Sequence, residues 1–160
     1  MVNHQTSLLL LGLSGILSGC MTNEPTDWLE MKEGLYHGTI LNGLPHGQGV
    51  LKFNGGHIYK GEFKDGHMHG KGVFDWVGGS QYKGYYSAGR KQGKGTYTWP
   101  NGSYYKGQYR NGLRDGKGML HLANGKSYKG EFVNGKKHGK GTLKHPTGEV
   151  ESGLWKEDSL

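Results

Sequence analysis

The sequence predicts an all-β fold, a continuous antiparallel sheet assembled from successive hairpins, and three observations predict it. One pattern recurs without a slip of register: Tyr36, Tyr59, Tyr82, Tyr105 and Tyr128 each open a copy, every copy 23 residues after the last. A fixed period of that length marks a repeat array, in which each unit is one supersecondary element packed on its neighbours. Within a copy, Tyr59, Gly61 and Phe63 alternate with Lys60, Glu62 and Lys64, the period-two pattern of a strand with an aromatic face and a charged face. Each copy also carries two turn signals. The chain reverses at Asn42-Gly43, Asp65-Gly66, Ala88-Gly89, Asn111-Gly112 and Asn134-Gly135. It turns into the next copy at Gly55-Gly56, Gly78-Gly79, Asn101-Gly102, Asn124-Gly125 and Thr147-Gly148.

Taken in order, the chain opens with an apolar run from Leu8 to Leu17. This is too short to span a bilayer, which takes about 20 residues, and has the length of the apolar core of a secretory signal. The stretch before it, MVNHQTS, has no Lys or Arg. The run ends in Leu17-Ser18-Gly19-Cys20, which resembles the cleavage box of bacterial lipoproteins. That resemblance implies removal of residues 1–19 and acylation of Cys20, on its sulfur and on the new amino group. It places the chain in the cell envelope, at the outer membrane in a Gram-negative host because Met21 rather than Asp follows. Several acyl chains on one residue anchor stably where one would be marginal. Cys20 is the single cysteine, so no disulfide forms within the chain. Residues 20–35 read as the lipidated cysteine and an acidic tether, with a short helical turn after Asp27. The array is expected over 36–156, as five full repeats and a truncated sixth opened by Glu151, with a tail at 157–160.

Glycine makes up 32 of the 160 residues, and most of it sits at fixed phases, so the backbone rather than flexibility needs it. Gly61, Gly70 and Gly72 are expected to leave room for a ring from an adjacent strand to lie on the backbone. Three columns should line the aromatic face: Tyr59, Tyr82, Tyr105 and Tyr128; Phe63, Tyr86, Tyr109, Phe132 and Trp155; and Leu51, Phe74, Tyr97, Leu120 and Leu143. Stacking along these columns is the expected source of cohesion. Stability is then a sum of similar repeats and their nearest-neighbour contacts rather than the product of a thick core.

The pattern, written Tyr-x-Gly-x-aromatic and closed by Gly-x-Gly, resembles the MORN repeat (membrane occupation and recognition nexus) over residues 36–156. Ile40 and Glu151 depart from it, both at array ends, where capping repeats differ. The resemblance implies an elongated, twisted, single-layer antiparallel sheet that serves as a binding or scaffold module, together with a proposed role in lipid binding.

Charge locates the candidate site. The chain is net +7, while residues 20–33 and 149–160 are each net −3, which leaves +13 on 34–148. Two lysine columns, Lys60, Lys83, Lys106 and Lys129 and Lys71, Lys94, Lys117 and Lys140, should project from the face opposite the rings, with Arg90-Lys91, Arg114 and Lys136-Lys137 at the hairpin tips. Such a face is either a docking surface for an acidic partner or a solvated surface that keeps an open sheet soluble. A protein partner is the first expectation and anionic phospholipid the second. Pairing through an exposed sheet edge is a further route to a homodimer. Interleaved Lys and Tyr can hold single-stranded nucleic acid, but an exported chain is in the wrong compartment, so no nucleic acid is expected.

His46, His69 and His138 share one phase, and Gln92 and Asp115 replace them in the other copies. Equivalent positions lie about 9.6 Å apart, twice the strand spacing, too far for one ion to bridge. These histidines read as polar turn residues, and no metal or cofactor is expected. No Ser-His-Asp set, paired carboxylates or phosphate loop stands outside the repeat pattern, so no enzyme is expected.

Overall fold

The computed structural model describes residues 28–160, so the expected leader, the acylated Cys20 and most of the tether lie outside the described residues. Every helix or strand element among the described residues is a strand. The twelve strands are β1 (Leu29–Met31), β2 (Gly34–Leu41), β3 (Leu44–Phe53), β4 (Ile58–Lys64), β5 (His67–Asp75), β6 (Gln81–Ser87), β7 (Arg90–Thr98), β8 (Tyr104–Arg110), β9 (Leu113–His121), β10 (Ser127–Val133), β11 (Lys136–Lys144) and β12 (Val150–Trp155). They lie side by side in chain order as one open antiparallel sheet, the fold class the sequence predicts. At about 4.8 Å per strand the array runs roughly 50 Å across its strands.

The hairpin turns follow from local chemistry. At the tip of each repeat both central residues have positive φ, for example Asp65 at 50° and Gly66 at 81°. That is the turn whose twist matches a right-handed β-ribbon, and Asn-Gly and Asp-Gly favour it. Ala88 adopts it at 46° without the polar side chain that eases such a backbone. Between repeats the chain uses three-residue loops with glycine in the left-handed position, as at Gly79, whose N–H donates to Trp76 O at 2.9 Å.

Both ends differ from the expected boundaries. No helical turn follows Asp27: Leu29–Met31 is a strand that pairs with Gly34–Tyr36. Leu29, Glu30 and Met31 alternate with period two, and Lys32-Glu33 forms the turn that folds them back. The tail at 157–160 is also part of the array. Glu157 and Asp158 have φ of 49° and 74°, close to Asn134 and Gly135 one repeat earlier. The Asp158 N–H donates to Lys137 O at 3.0 Å, as Gly135 donates to Arg114 O at 2.8 Å. The sixth unit therefore completes its turn.

One register carries the sheet. Gly38, Gly49, Gly61, Gly72, Gly84, Gly95, Gly107, Gly118, Gly130, Gly141 and Gly153 pair in sequence, an unbroken row of eleven glycines from β2 to β12. Just beyond the row each return strand bulges: Gly61 faces Gly72, but Glu62 faces His69, leaving Gly70 and Lys71 as extra residues. An insertion of two preserves the alternation of faces, where an insertion of one would invert it. Gly70 does not clear a ring, as the sequence suggested. Its φ is +52°, and a Cβ there would run into the Glu62 carboxylate. Backbone conformation in the bulge accounts for it.

Gly61 and Gly72 do clear a ring, and its source refines the expectation. Tyr59 lies along its own strand and covers both members of the pair; a Cβ on Gly61 would come within 2.6 Å of Tyr59 Oη and of the backbone of Lys71. Tyr82, Tyr105 and Tyr128 cover their glycine pairs in the same way, and Tyr36 covers Gly38 and Gly49. Each hydroxyl then donates to the carbonyl three residues on: Tyr36 to Thr39, Tyr59 to Glu62, Tyr82 to Tyr85, Tyr105 to Gln108 and Tyr128 to Glu131, at 3.0–3.2 Å. This bond holds the backbone at the bulge and is a reason for tyrosine rather than phenylalanine at that phase.

The first two columns do not stack separately. They interleave into one zigzag of ten rings, Tyr36, Phe63, Tyr59, Tyr86, Tyr82, Tyr109, Tyr105, Phe132, Tyr128 and Trp155. Successive centroids are 5.0–5.2 Å apart and successive planes 78–90° from each other. Edge-to-face contact sets positive ring edges against negative ring faces, which parallel stacking at this distance would not. All ten rings are at most 5% exposed, so a single layer buries its core within its own side chains. The third column flanks the zigzag, with Leu51 and Phe74 buried and Tyr97, Leu120 and Leu143 half-buried.

Candidate functional site

The sheet offers two broad faces of opposite chemistry, divided by the glycine row. On one face all eight predicted column lysines, at positions 60, 71, 83, 94, 106, 117, 129 and 140, are exposed. They border grooves floored by the glycine backbone: about 620 Å³ between Lys60 and Lys83, 490 Å³ between Lys94 and Lys117, and 790 Å³ between Lys106 and Lys140. Other polar side chains of this face are tied to the bulges. Glu62 Oε1 accepts the Lys71 N–H at 2.9 Å, and Gln108 Oε1 accepts the Lys117 N–H at 2.7 Å.

The tip cations expected with this surface divide differently. Across each two-residue turn, Met68 faces Phe63, Lys91 faces Tyr86, Arg114 faces Tyr109 and Lys137 faces Phe132. Lys91, Arg114 and Lys137 therefore stand on the ring face, where their stems cover the zigzag. The Lys91 ammonium is 4.9 Å from the Tyr97 centroid and 5.3–5.6 Å from those of Tyr82, Trp76 and Tyr109. Arg114 lies over Tyr105 and Phe132, and Lys137 over Trp155 at 4.1 Å. A cation over a ring face is attracted by the ring quadrupole. The signal for this placement was present in the sequence. A two-residue turn pairs residue 86 with 91, which puts Lys91 on the face of Tyr86.

Burial sets the electrostatics of the ring face. It lowers the pKa of Lys91, because desolvation disfavours the charged ammonium. It pushes Tyr105 up to about 12, and Tyr59, Tyr82, Tyr86 and Tyr109 further. The Tyr86 hydroxyl is buried with no hydrogen-bond partner among the described residues, in contrast to the five hydroxyls that cap the bulges. Beyond the sealed zigzag a rim stays partly open. Phe53, Phe74, Trp76, Tyr97 and Trp99 form a chain of ring contacts 4.3–5.4 Å apart. Lys91, Tyr97, Trp99, Leu113 and Arg114 enclose a recess of about 300 Å³ there.

The histidines are not turn residues. His69 pairs with Glu62 and His138 with Glu131, inside the return strands at the bulges. Among the described residues no three His, Cys, Asp or Glu side chains gather as a metal site requires.

The MORN-repeat family model matches residues 31–58, 59–81, 82–104, 105–127 and 128–150 without a gap. The chain belongs to the MORN-repeat family. The matched units begin at the same tyrosines that open the copies, from Tyr59 to Tyr128. The MORN array extends past them at both ends, through β1 and through the turn at Glu157-Asp158. A search of curated proteins found no match. MORN repeats occur in binding and scaffold proteins, and the all-β array is a binding module of that kind.

Proposed function

We propose that the chain is a non-catalytic binding and scaffold module, held at a bacterial envelope membrane through acylated Cys20, that presents its sheet to a protein partner. The observation that carries the protein-binding part is the open rim of the ring face, where Trp76, Tyr97 and Trp99 are half-buried beside Lys91 and Arg114. Trp, Tyr and Arg are the residue types that anchor protein interfaces. Leu113, 50% exposed, adds apolar surface to the same recess. The anchor rests on the Leu-Ser-Gly-Cys box, and Cys20→Ser is expected to abolish incorporation of labelled palmitate and release the chain from membranes.

A photoreactive residue at position 113 of the full chain tests the rim. Its main protein adduct should survive about 0.5 M salt, where screening is nearly complete beyond a few ångströms, and should vanish with Trp99→Ala. An adduct that salt removes and Trp99→Ala leaves intact would refute the rim as the docking surface.

The eight exposed lysines favour a second reading, direct binding of anionic phospholipid headgroups by the opposite face. That binding should follow acidic lipid content and fall steeply with ionic strength. Equal binding of the unacylated chain to acidic and neutral vesicles would end it.

A further inference from the structure

Lys-Gly recurs once on each of eight consecutive strands, β4 to β11. Because neighbouring strands run antiparallel, the residue before the glycine falls on opposite sides of the glycine row in successive strands. Lys60 lies across from Val73 on one side of the row, and Lys71 across from Tyr85 on the other. Ammonium groups thus line the two edges of a trough in strict alternation, one per strand. The edge changes every ~4.8 Å and each edge repeats every ~9.6 Å. The floor is the glycine row, whose opposite side is sealed by tyrosine rings. Its peptide groups are bonded in the ladder, so it offers a smooth strip of methylene and peptide planes without side chains. In the central stretch, β6 to β9, the other edge residues are Tyr85, Thr96, Gln108 and Met119, with no carboxylate among them.

We propose that this trough binds a linear acidic polysaccharide, an extended β-(1→4)-linked chain with one carboxylate on every sugar. In such a chain each ring is turned over relative to the last. The carboxylates leave opposite edges of a flat ribbon in alternation, and one sugar spans close to one strand. The ribbon face lies on the glycine floor, its carboxylates meet the lysines edge by edge, and exposed Tyr85 offers an aromatic surface to a sugar C–H face. Other polyanions fit less well. An extended acidic peptide returns to the same edge after two residues, about 6.8 Å, out of step with the ~9.6 Å lysine repeat. Single-stranded nucleic acid binds through stacked rings, and the ring zigzag lies on the other face. A bilayer is a plane and does not enter between the edges of a trough. The inference stands apart from the ring-face rim: it concerns the opposite surface and a different ligand.

The test is fluorescence anisotropy with the full chain and a labelled β-(1→4)-mannuronate octamer. Octaglutamate, an oligonucleotide of equal charge, a neutral cello-oligosaccharide and phosphatidylglycerol vesicles serve as competitors. The mannuronate is expected to bind at least about tenfold more tightly than octaglutamate or the oligonucleotide, a clear difference in binding free energy. The cello-oligosaccharide and the vesicles should compete poorly. Lys94→Gln with Lys106→Gln should weaken mannuronate binding about tenfold. Lys64→Gln with Lys144→Gln, the same charge change outside the trough, should alter it less than about twofold, since exposed charges act weakly at a distance. Equal binding of octaglutamate or the oligonucleotide would overturn the polysaccharide assignment while leaving a basic docking face. Stronger competition by vesicles would overturn it in favour of phospholipid. Failure of every polyanion to bind at low salt would overturn both uses of the lysine face.

Discussion

The two sides of the glycine row make an instructive contrast. On the ring side the missing side chains are replaced: tyrosine rings lie in the space, and their hydroxyls bond to the backbone at the bulges. On the lysine side the pleat points no side chain out of this row, so the same backbone forms the floor of an open trough. Glycine at this phase therefore serves the packing on the ring face, while the open floor on the lysine face follows from the alternation of the strand. Cohesion should concentrate on the ring side and binding on the lysine side, so substitutions should separate cleanly by face.

The largest effect that would sharpen this contrast is alkaline unfolding. Burial raises the pKa of Tyr59, Tyr82, Tyr86, Tyr105 and Tyr109 above the ordinary value of 10.0. The neutral phenol is thus favoured by the fold. The corresponding stability is fully present below pH 10 and is lost as pH rises through the folded values, about 12 for Tyr105 and higher for the others. Circular dichroism and phenolate absorbance should change together in one transition. Phenolate appearing near pH 10 with the sheet intact would break the contrast.

Gly95→Val comes next. A Cβ at Gly95 would meet the ring of Tyr82, on the packed side. Destabilisation of about 3 kcal/mol is expected in urea unfolding, at the upper end for overpacking. A stability close to that of the parent would mean that the ring is not held against the backbone.

A smaller pair of changes compares two tyrosines within the zigzag. Tyr82→Phe removes a hydroxyl that donates to Tyr85 O at 3.2 Å, and should cost about 1 kcal/mol. Tyr86→Phe removes a buried hydroxyl without a partner among the described residues and should be neutral or stabilising. Equal losses in thermal melts would show that the bulge bond contributes nothing. The smallest effect belongs to the lysine face. Lys94→Gln and Lys117→Gln, both exposed, should leave stability within about 0.5 kcal/mol. A larger loss would mean that this face also holds the sheet together.

Much of this arrangement was legible in the sequence because strands are periodic. The turn residues, the hairpin order and the two faces of each outgoing strand follow from a 23-residue period and an alternation of two, and the family assignment rests on the same tyrosines. The departures share a cause. The helical turn after Asp27, the role of Gly70 and the separate ring columns all depended on pairing between strands, which a single strand's pattern does not contain; the placing of Lys91, Arg114 and Lys137 needed the pairing across each two-residue turn. The bulge inserts two residues opposite none and gives Gly70 a task unrelated to rings. The interleaving of Phe63 between Tyr36 and Tyr59 needs the offset between adjacent hairpins.

By itself the sequence determined the all-β class, the 23-residue repeat and which residues share a face within one strand, because side-chain direction along a strand alternates whatever the strand pairs with. Only the tertiary structure decided that the glycines align into one row, that the rings meet edge to face across hairpins, and that the lysines alternate across a trough. Those features are fixed by inter-strand register, and register is a property of paired backbones rather than of any one segment.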